Sequence, residues 1–148
     1  PARPVRAWSA PTDIAVAAQA LLYPALDRQI SAASYAEFAQ GFGLDAVDMA
    51  WFWNHYVGVG GSEDPRVSPL RANSFAHLPA TFVATAGHDV LRDEAEAYAG
   101  LLRDAGVDIV AKRYSGMIHG FWWMDDVLDD SRTLQRDLAR FLVDRLSR

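Results

Sequence analysis

The sequence has no cysteine among its 148 residues, which excludes disulfides, thiol nucleophiles and thiolate metal sites and leaves the redox compartment open. It has no uninterrupted apolar run approaching the ~18–20 residues of a spanning helix, so no membrane span is expected. Positive charge is scarce: 14 Lys plus Arg stand against 19 Asp plus Glu, for a formal net charge of -5. The basic residues are scattered, with no run, and a nucleic-acid partner is not expected. The opening PARPVRAWSAPTD lacks the apolar core of a signal peptide, which makes the cytoplasm the default location. It also lacks an initiator Met and reads like the end of a loop, so the chain is expected to continue upstream of Pro1 as a fragment or processed product. What is present is a hydrophobic fraction of 51%, enough for the core of one compact domain.

From Ile14 to Tyr23 the run IAVAAQALLY is almost wholly apolar and stops at Pro24, as a strand buried on both faces of a parallel sheet would. Two helices are expected next, over 34–40 and 45–57, separated by Gly41 and Gly43; Asp45 can cap the second, which carries a bulky aromatic face. Residues 58–80 hold Gly58, Gly60, Gly61, Pro65, Pro69 and Pro79 and read as a long irregular connection. ATFVATAG, residues 80–87, reads as a second buried strand. Leu91, Ala95, Tyr98, Leu101 and Leu102 then define an amphipathic helix over 91–104, with Asp93 and Glu94 placed to favour its dipole and Gly106 to end it. VDIVAKRY, residues 107–114, alternates as a strand nearer the sheet edge, and SGMIHGFWWM reads as a loop entering a short apolar turn. Leu134, Leu138, Phe141, Leu142 and Leu146 mark a long C-terminal helix with Arg145 near its end.

Strands alternating with helices specify an α/β fold, a parallel sheet with crossover helices, whose ligands bind beyond the carboxyl ends of the strands. That rule points to Gly87-His88-Asp89 and to Ser115 to Gly120. Asp89 and His119 would then emerge on adjacent strands at one edge, close enough to hydrogen-bond. A carboxylate holding one imidazole nitrogen fixes the tautomer and leaves the other free to take a proton from a hydroxyl nucleophile. An Asp at a strand end also serves as a helix cap, and a His beside glycine as a loop residue, so spacing alone leaves both readings open. His55, His77 and His88 read as surface or loop polar groups and lack acidic partners at ligand spacing, so no metal site is expected.

Five stretches carry a resemblance from about Ala17 onward: QALLYPALD at 19–27, MAWFWNHYVG at 49–58, DPRVSPLRA at 64–72, PATFVATAGHDVLRDEAEAYAGLLRDAGV at 79–107, and KRYSGMIHGF at 112–121. In register, they resemble the C-terminal half of the hormone-sensitive-lipase-like esterases, a branch of the α/β-hydrolase fold. The resemblance implies that Asp89, opening DVLRDE, is the acid of a Ser-His-Asp triad, and that His119 of the HGF motif is its base. Val90 and Ala95 stand where the family usually has Pro and Gly, departures that remove no reactive group. Residues 28–60 resemble part of the family's helical cap. That makes Trp51, Phe52 and Trp53, with Val90, Leu91, Ile118, Phe121 and Trp122, candidates for lining a substrate pocket. Core packing is the other fate of such aromatics, Trp123 included.

Neither a G-x-S-x-G nucleophile elbow nor an HGGG-type oxyanion loop occurs; GVGGSED at 58–64 lacks the glycine two positions after Ser62. The nucleophile and oxyanion donors are therefore expected on a segment outside these residues, and the chain alone is expected to be inactive. The implied activity is hydrolysis of short-to-medium acyl esters with no cofactor. A non-catalytic ligand-binding member of the fold, or an amidase or peptidase, are the alternatives. Expected partners are a small ester, the N-terminal half carrying the serine, and a second copy through the strand at 108–114.

Overall fold

A computed structural model describes residues 16–58 and 64–147. Ile14 and Ala15 of the expected first strand, and residues 59–63 of the long connection, lie outside the described residues. Among those described, three parallel strands form one sheet in the order β1 (Ala18–Leu22), β2 (Ala80–His88), β3 (Ile109–Ile118). The architecture is the α/β arrangement read from the alternation of apolar runs. β2 lies between the other two, and its residues from Thr81 to Gly87 are all buried, which is why it reads as an unbroken apolar run without alternation. Its two threonines satisfy their hydroxyls internally: Thr81 donates to the Pro79 carbonyl (2.8 Å) and Thr85 to the Glu96 carboxylate (3.0 Å).

Successive β2 side chains point to opposite faces, and each face receives one helix. Val83 packs with Ala95, Tyr98, Ala99 and Leu102 of α3 (Arg92–Asp104). Phe82, Ala84 and Ala86 pack with Leu134 and Phe141 of the C-terminal helix Asp129–Leu146. A third cluster joins the segment between β1 and β2 to the residues after β2. It contains Tyr35 of α1 (Ser34–Glu37), Phe38, Met49 and Trp53 of α2 (Ala46–Val57), with Val90 and Leu91.

Two elements differ from the sequence expectation. The helix expected over 34–40 is a single turn that ends where Phe38 leaves the helical conformation (φ -116°); its first residue, Ser34, is tied to the start of α3, its hydroxyl donating to the Val90 carbonyl (2.6 Å) and its amide to Asp93 (2.9 Å). Phe38 then turns inward to meet His88 (5.5 Å between rings). The stretch SGMI, read as a loop, continues β3 to Ile118. Ser115 and Gly116 are poor strand formers; they fall in the irregularity between the Ala86↔Tyr114 and His88↔Ile118 pairs, and β3 resumes its pairing with β2 beyond them. No helix among the described residues is long and apolar enough to cross a membrane.

Candidate active site

The ends of β2 and β3 carry the two residues whose types suggest acid–base chemistry, and an irregularity in the ladder brings them level. From Thr81↔Ile109 to Ala86↔Tyr114 the paired residues differ by 28 in number, whereas His88 pairs with Ile118, a difference of 30. The bulge lengthens β3 by two residues relative to β2. Asp89 is thereby matched to His119; with the earlier register it would lie level with Met117. Gly87 sits at the turn of this bulge, where a Cβ would stand 2.0 Å from the Ser115 carbonyl oxygen, so no side chain fits there.

Asp89 is 1% exposed, and both carboxylate oxygens have partners. Oδ1 accepts the Leu91 amide at 2.9 Å, and Oδ2 lies 2.8 Å from His119 Nδ1. A carboxylate only accepts, so the shared proton belongs to Nδ1, and in the neutral imidazole Nε2 is then the acceptor. The His119 side chain keeps 28% of its surface exposed while that of Asp89 keeps none. The pair is therefore a buried carboxylate held against an imidazole that keeps part of its surface exposed. Gly120 follows with φ +78°, a left-handed turn suited to glycine, and sends Phe121 back into the core. The structure thus brings together the two residues on which the sequence-level acid–base reading rests.

The other sequence candidates divide. Val90, Leu91 and Trp53 are buried in the cluster between α2 and α3. Phe121 is fully buried on the opposite face, among Tyr114, Leu134 and Phe141. Ile118 and Trp122 are half-buried. Trp51 and Phe52 stay exposed on α2, edge to face at 5.2 Å, and Trp123 is exposed as well. His88 is stacked on Phe42 (5.6 Å) and His55 lies on Trp51 (3.9 Å), so both rings have packing roles. A groove of about 330 Å³ between α3 and β3, walled by Val83, Glu96, Arg103 and Arg113, includes neither Asp89 nor His119.

The roles of three residues at or near the site went unread in the sequence. Gly87 had a signal, since an isolated glycine inside a strand pattern marks a bulge. Glu94 had one too: it falls on the same helical face as Leu91, Ala95 and Tyr98, and it is buried there instead of serving only the helix dipole. Its Oε1 accepts the amides of Leu26 (2.6 Å) and Asp27 (3.3 Å), fastening the chain after β1 to α3. Tyr23, at the end of β1, had no signal; its ring lies 4.5 Å from that of His119.

Comparison with known proteins adds the following. The family described as alpha/beta hydrolase fold matches residues 4–123. The carboxylic ester hydrolase LipN of Mycobacterium tuberculosis is 40% identical over 105 residues, covering 70% of this chain and 28% of its own length. Ethyl acetate hydrolase of Pseudomonas putida is 29% identical over 114 residues, 76% of this chain and 36% of that protein. Among solved structures, the ester hydrolase EH1AB1 from the metagenome of Lake Arreo superposes with a TM-score of 0.83 at 39% identity, covering 89% of this chain and 42% of that one. The chain spans about a third of the length of the curated relatives it matches.

Proposed function

We propose, from the premise that this chain belongs to the α/β-hydrolase fold family, that it carries the acid and base of a serine carboxylesterase of the hormone-sensitive-lipase-like branch. The substrates are short-to-medium acyl esters. The single observation that carries the reading is the 2.8 Å bond between His119 Nδ1 and the buried Asp89 carboxylate at the carboxyl end of a parallel sheet.

In this reading His119 Nε2 takes the proton of a serine hydroxyl as its oxygen attacks the ester carbonyl. The same proton passes to the departing alkoxide when the ester C–O bond breaks, leaving an acyl-serine. Water then repeats the cycle: His119 takes its proton, hydroxide adds to the acyl carbon, and the proton returns to the serine as the acid leaves. Asp89 holds the imidazole in the required tautomer and offsets its charge while it is protonated. The serine and the oxyanion donors come from a segment outside these 148 residues, packed against the outer edge of β1. A positioned base contributes about 10²–10⁴-fold, and only with a nucleophile to deprotonate. The chain by itself is accordingly expected to hydrolyse esters barely above background. Assembly extends to a second copy of the chain through residues 108–114.

The test is made on the chain together with its nucleophile-bearing segment. A fluorophosphonate is expected to label one serine. His119→Ala is expected to abolish that labelling, and Asp89→Asn to lower kcat by about 10³–10⁴-fold through the wrong tautomer. Full esterase activity in His119→Ala overturns the proposal. Esters are expected to turn over faster than anilides of the same acyl group; the reverse order would make the protein an amidase.

A further inference from the structure

Beyond the acid and base themselves, three strand ends meet at this site, and the third has no role in the chemistry above. β1 stops at Leu22, level with Ala84, and the Tyr23 amide donates to the Ala84 carbonyl at 2.7 Å. The Tyr23 backbone therefore lies well short of Asp89, on the strand that is not adjacent to β3. Its ring nevertheless reaches His119, with centroids 4.5 Å apart and planes tilted by 59°, and then Phe121 at 5.9 Å. The one side chain thus touches both His119 and Phe121, on either side of Gly120.

The backbone that aims this ring is unusual. Tyr23 has φ +38°, in the left-handed region that residues with a Cβ rarely adopt, and it precedes Pro24, which can neither donate to the ladder nor continue it. Strain of this kind persists only where the surroundings over-determine it, and it clusters at functional sites. Burial raises the phenol above its ordinary value, the Trp122 amide works against that, and the Asp89 charge adds to the rise, so the side chain remains a neutral hydroxyl.

The Asp89 bond constrains one nitrogen of the imidazole, and a single bond of this kind leaves the ring able to rock about the Oδ2···Nδ1 axis. A ring packed at a tilt against the imidazole blocks that rocking. We propose that Tyr23 is a positioning residue for His119, setting the tilt of the imidazole and hence the line along which Nε2 takes and returns its proton. The inference rests on the catalytic reading of His119 for its consequence in rate, although the contact itself does not.

The experiment compares Tyr23→Leu, which removes the ring, with Tyr23→Phe, which keeps it, in the active protein with p-nitrophenyl butyrate as the probe. Misplaced catalytic groups cost up to about 10²-fold. Tyr23→Leu is expected to lower kcat by about ten- to a hundredfold with KM nearly unchanged, and Tyr23→Phe to recover most of that loss. In parallel, NMR follows the downfield Nδ1–H proton that His119 shares with Asp89: it is expected to stay sharp in Tyr23→Phe and to broaden in Tyr23→Leu. Circular dichroism identifies a variant that has not folded, in which case Tyr23→Met replaces Tyr23→Leu. An unchanged kcat together with an unchanged Nδ1–H resonance in the ring-less variant overturns the proposal. If instead His119→Ala retains activity, the catalytic reading falls, while the NMR arm still decides whether Tyr23 holds the imidazole.

Discussion

Glu94 is a carboxylic acid 2% exposed on the apolar face of α3. Burial raises its pKa from 4.5 to about 7, against the lowering effect of the Leu26 and Asp27 amides and the Tyr35 hydroxyl; the Asp27 charge pushes the same way as burial. The sign of the resulting pH dependence follows from proton counting. Between 4.5 and about 7 the folded chain holds a proton that the unfolded chain has released. The contribution of Glu94 to stability is thus fully present below 4.5, falls as pH rises, and is gone above about 7. Its size is on the order of 3 kcal/mol. Glu94→Gln is expected to flatten this slope and to be at least as stable as the parent near pH 8, measured by urea unfolding near pH 5 and near pH 8. A steeper slope in the variant would place the pH dependence elsewhere. Asp27 shows the opposite balance: burial would raise its pKa, but two bonds from Arg71 (2.9 and 2.7 Å) and the Gln29 amide hold it below the usual range.

The bulge between β2 and β3 is the element on which the site depends. Gly87→Ala would drive a Cβ into the Ser115 carbonyl, backbone that cannot swing aside. The variant is expected to lose about 3 kcal/mol or more. If it folds by slipping past the bulge, it loses the match of Asp89 to His119. Denaturant midpoints read the first effect and the Nδ1–H resonance of His119 the second. α1 is tied to the start of α3 by a reciprocal exchange, Ser34 amide to Asp93 carboxylate (2.9 Å) and Asp93 amide to Ser34 hydroxyl (3.3 Å). The hydroxyl also holds the Val90 carbonyl beside Asp89. Ser34→Ala keeps the amide bond but leaves the Val90 carbonyl and the Asp93 amide without the hydroxyl, and is expected to cost about 1–3 kcal/mol, with hydrogen exchange accelerating in residues 34–57 before it does in β2. The first of these features was partly legible in the sequence. A glycine inside an apolar strand pattern shows that something special happens there, but not which distant backbone group it meets.

At the scale of the molecule, a three-stranded parallel sheet leaves the outer edge of β1 unpaired among the described residues. Exposed edges template pairing with other chains. The isolated chain is expected to self-associate, and Ala20→Lys, at an exposed position on β1, to shift it toward the 16.3 kDa monomer in sedimentation. A monomeric parent chain would show that this edge is already covered. The other outer strand is protected differently. Lys112 pairs with Asp137 (2.6 Å), Arg113 with Glu96 (2.7 Å) and Asp108 with Arg145 (2.8 Å), charges that restrict which partner β3 accepts without forbidding a symmetric one. If residues 108–114 join two copies, Val110→Lys is expected to halve the mass of the assembled protein.

Composition and periodicity by themselves determined the order of strands and helices, the burial of β2 and the apolar faces of α3 and the C-terminal helix, because each follows from side chains acting over a few residues. Motif content determined that an Asp and a His follow adjacent strands. What only the tertiary structure decided is that these two meet: a two-residue bulge, a clash-free glycine and the continuation of β3 through Ser115 and Gly116 set the register. The same holds for Glu94 and Tyr23, whose partners lie 68 residues away at Leu26 and two strands away at His119. Long-range register and burial are properties of how elements stack, and local sequence patterns carry them only as exceptions to the expected residue type.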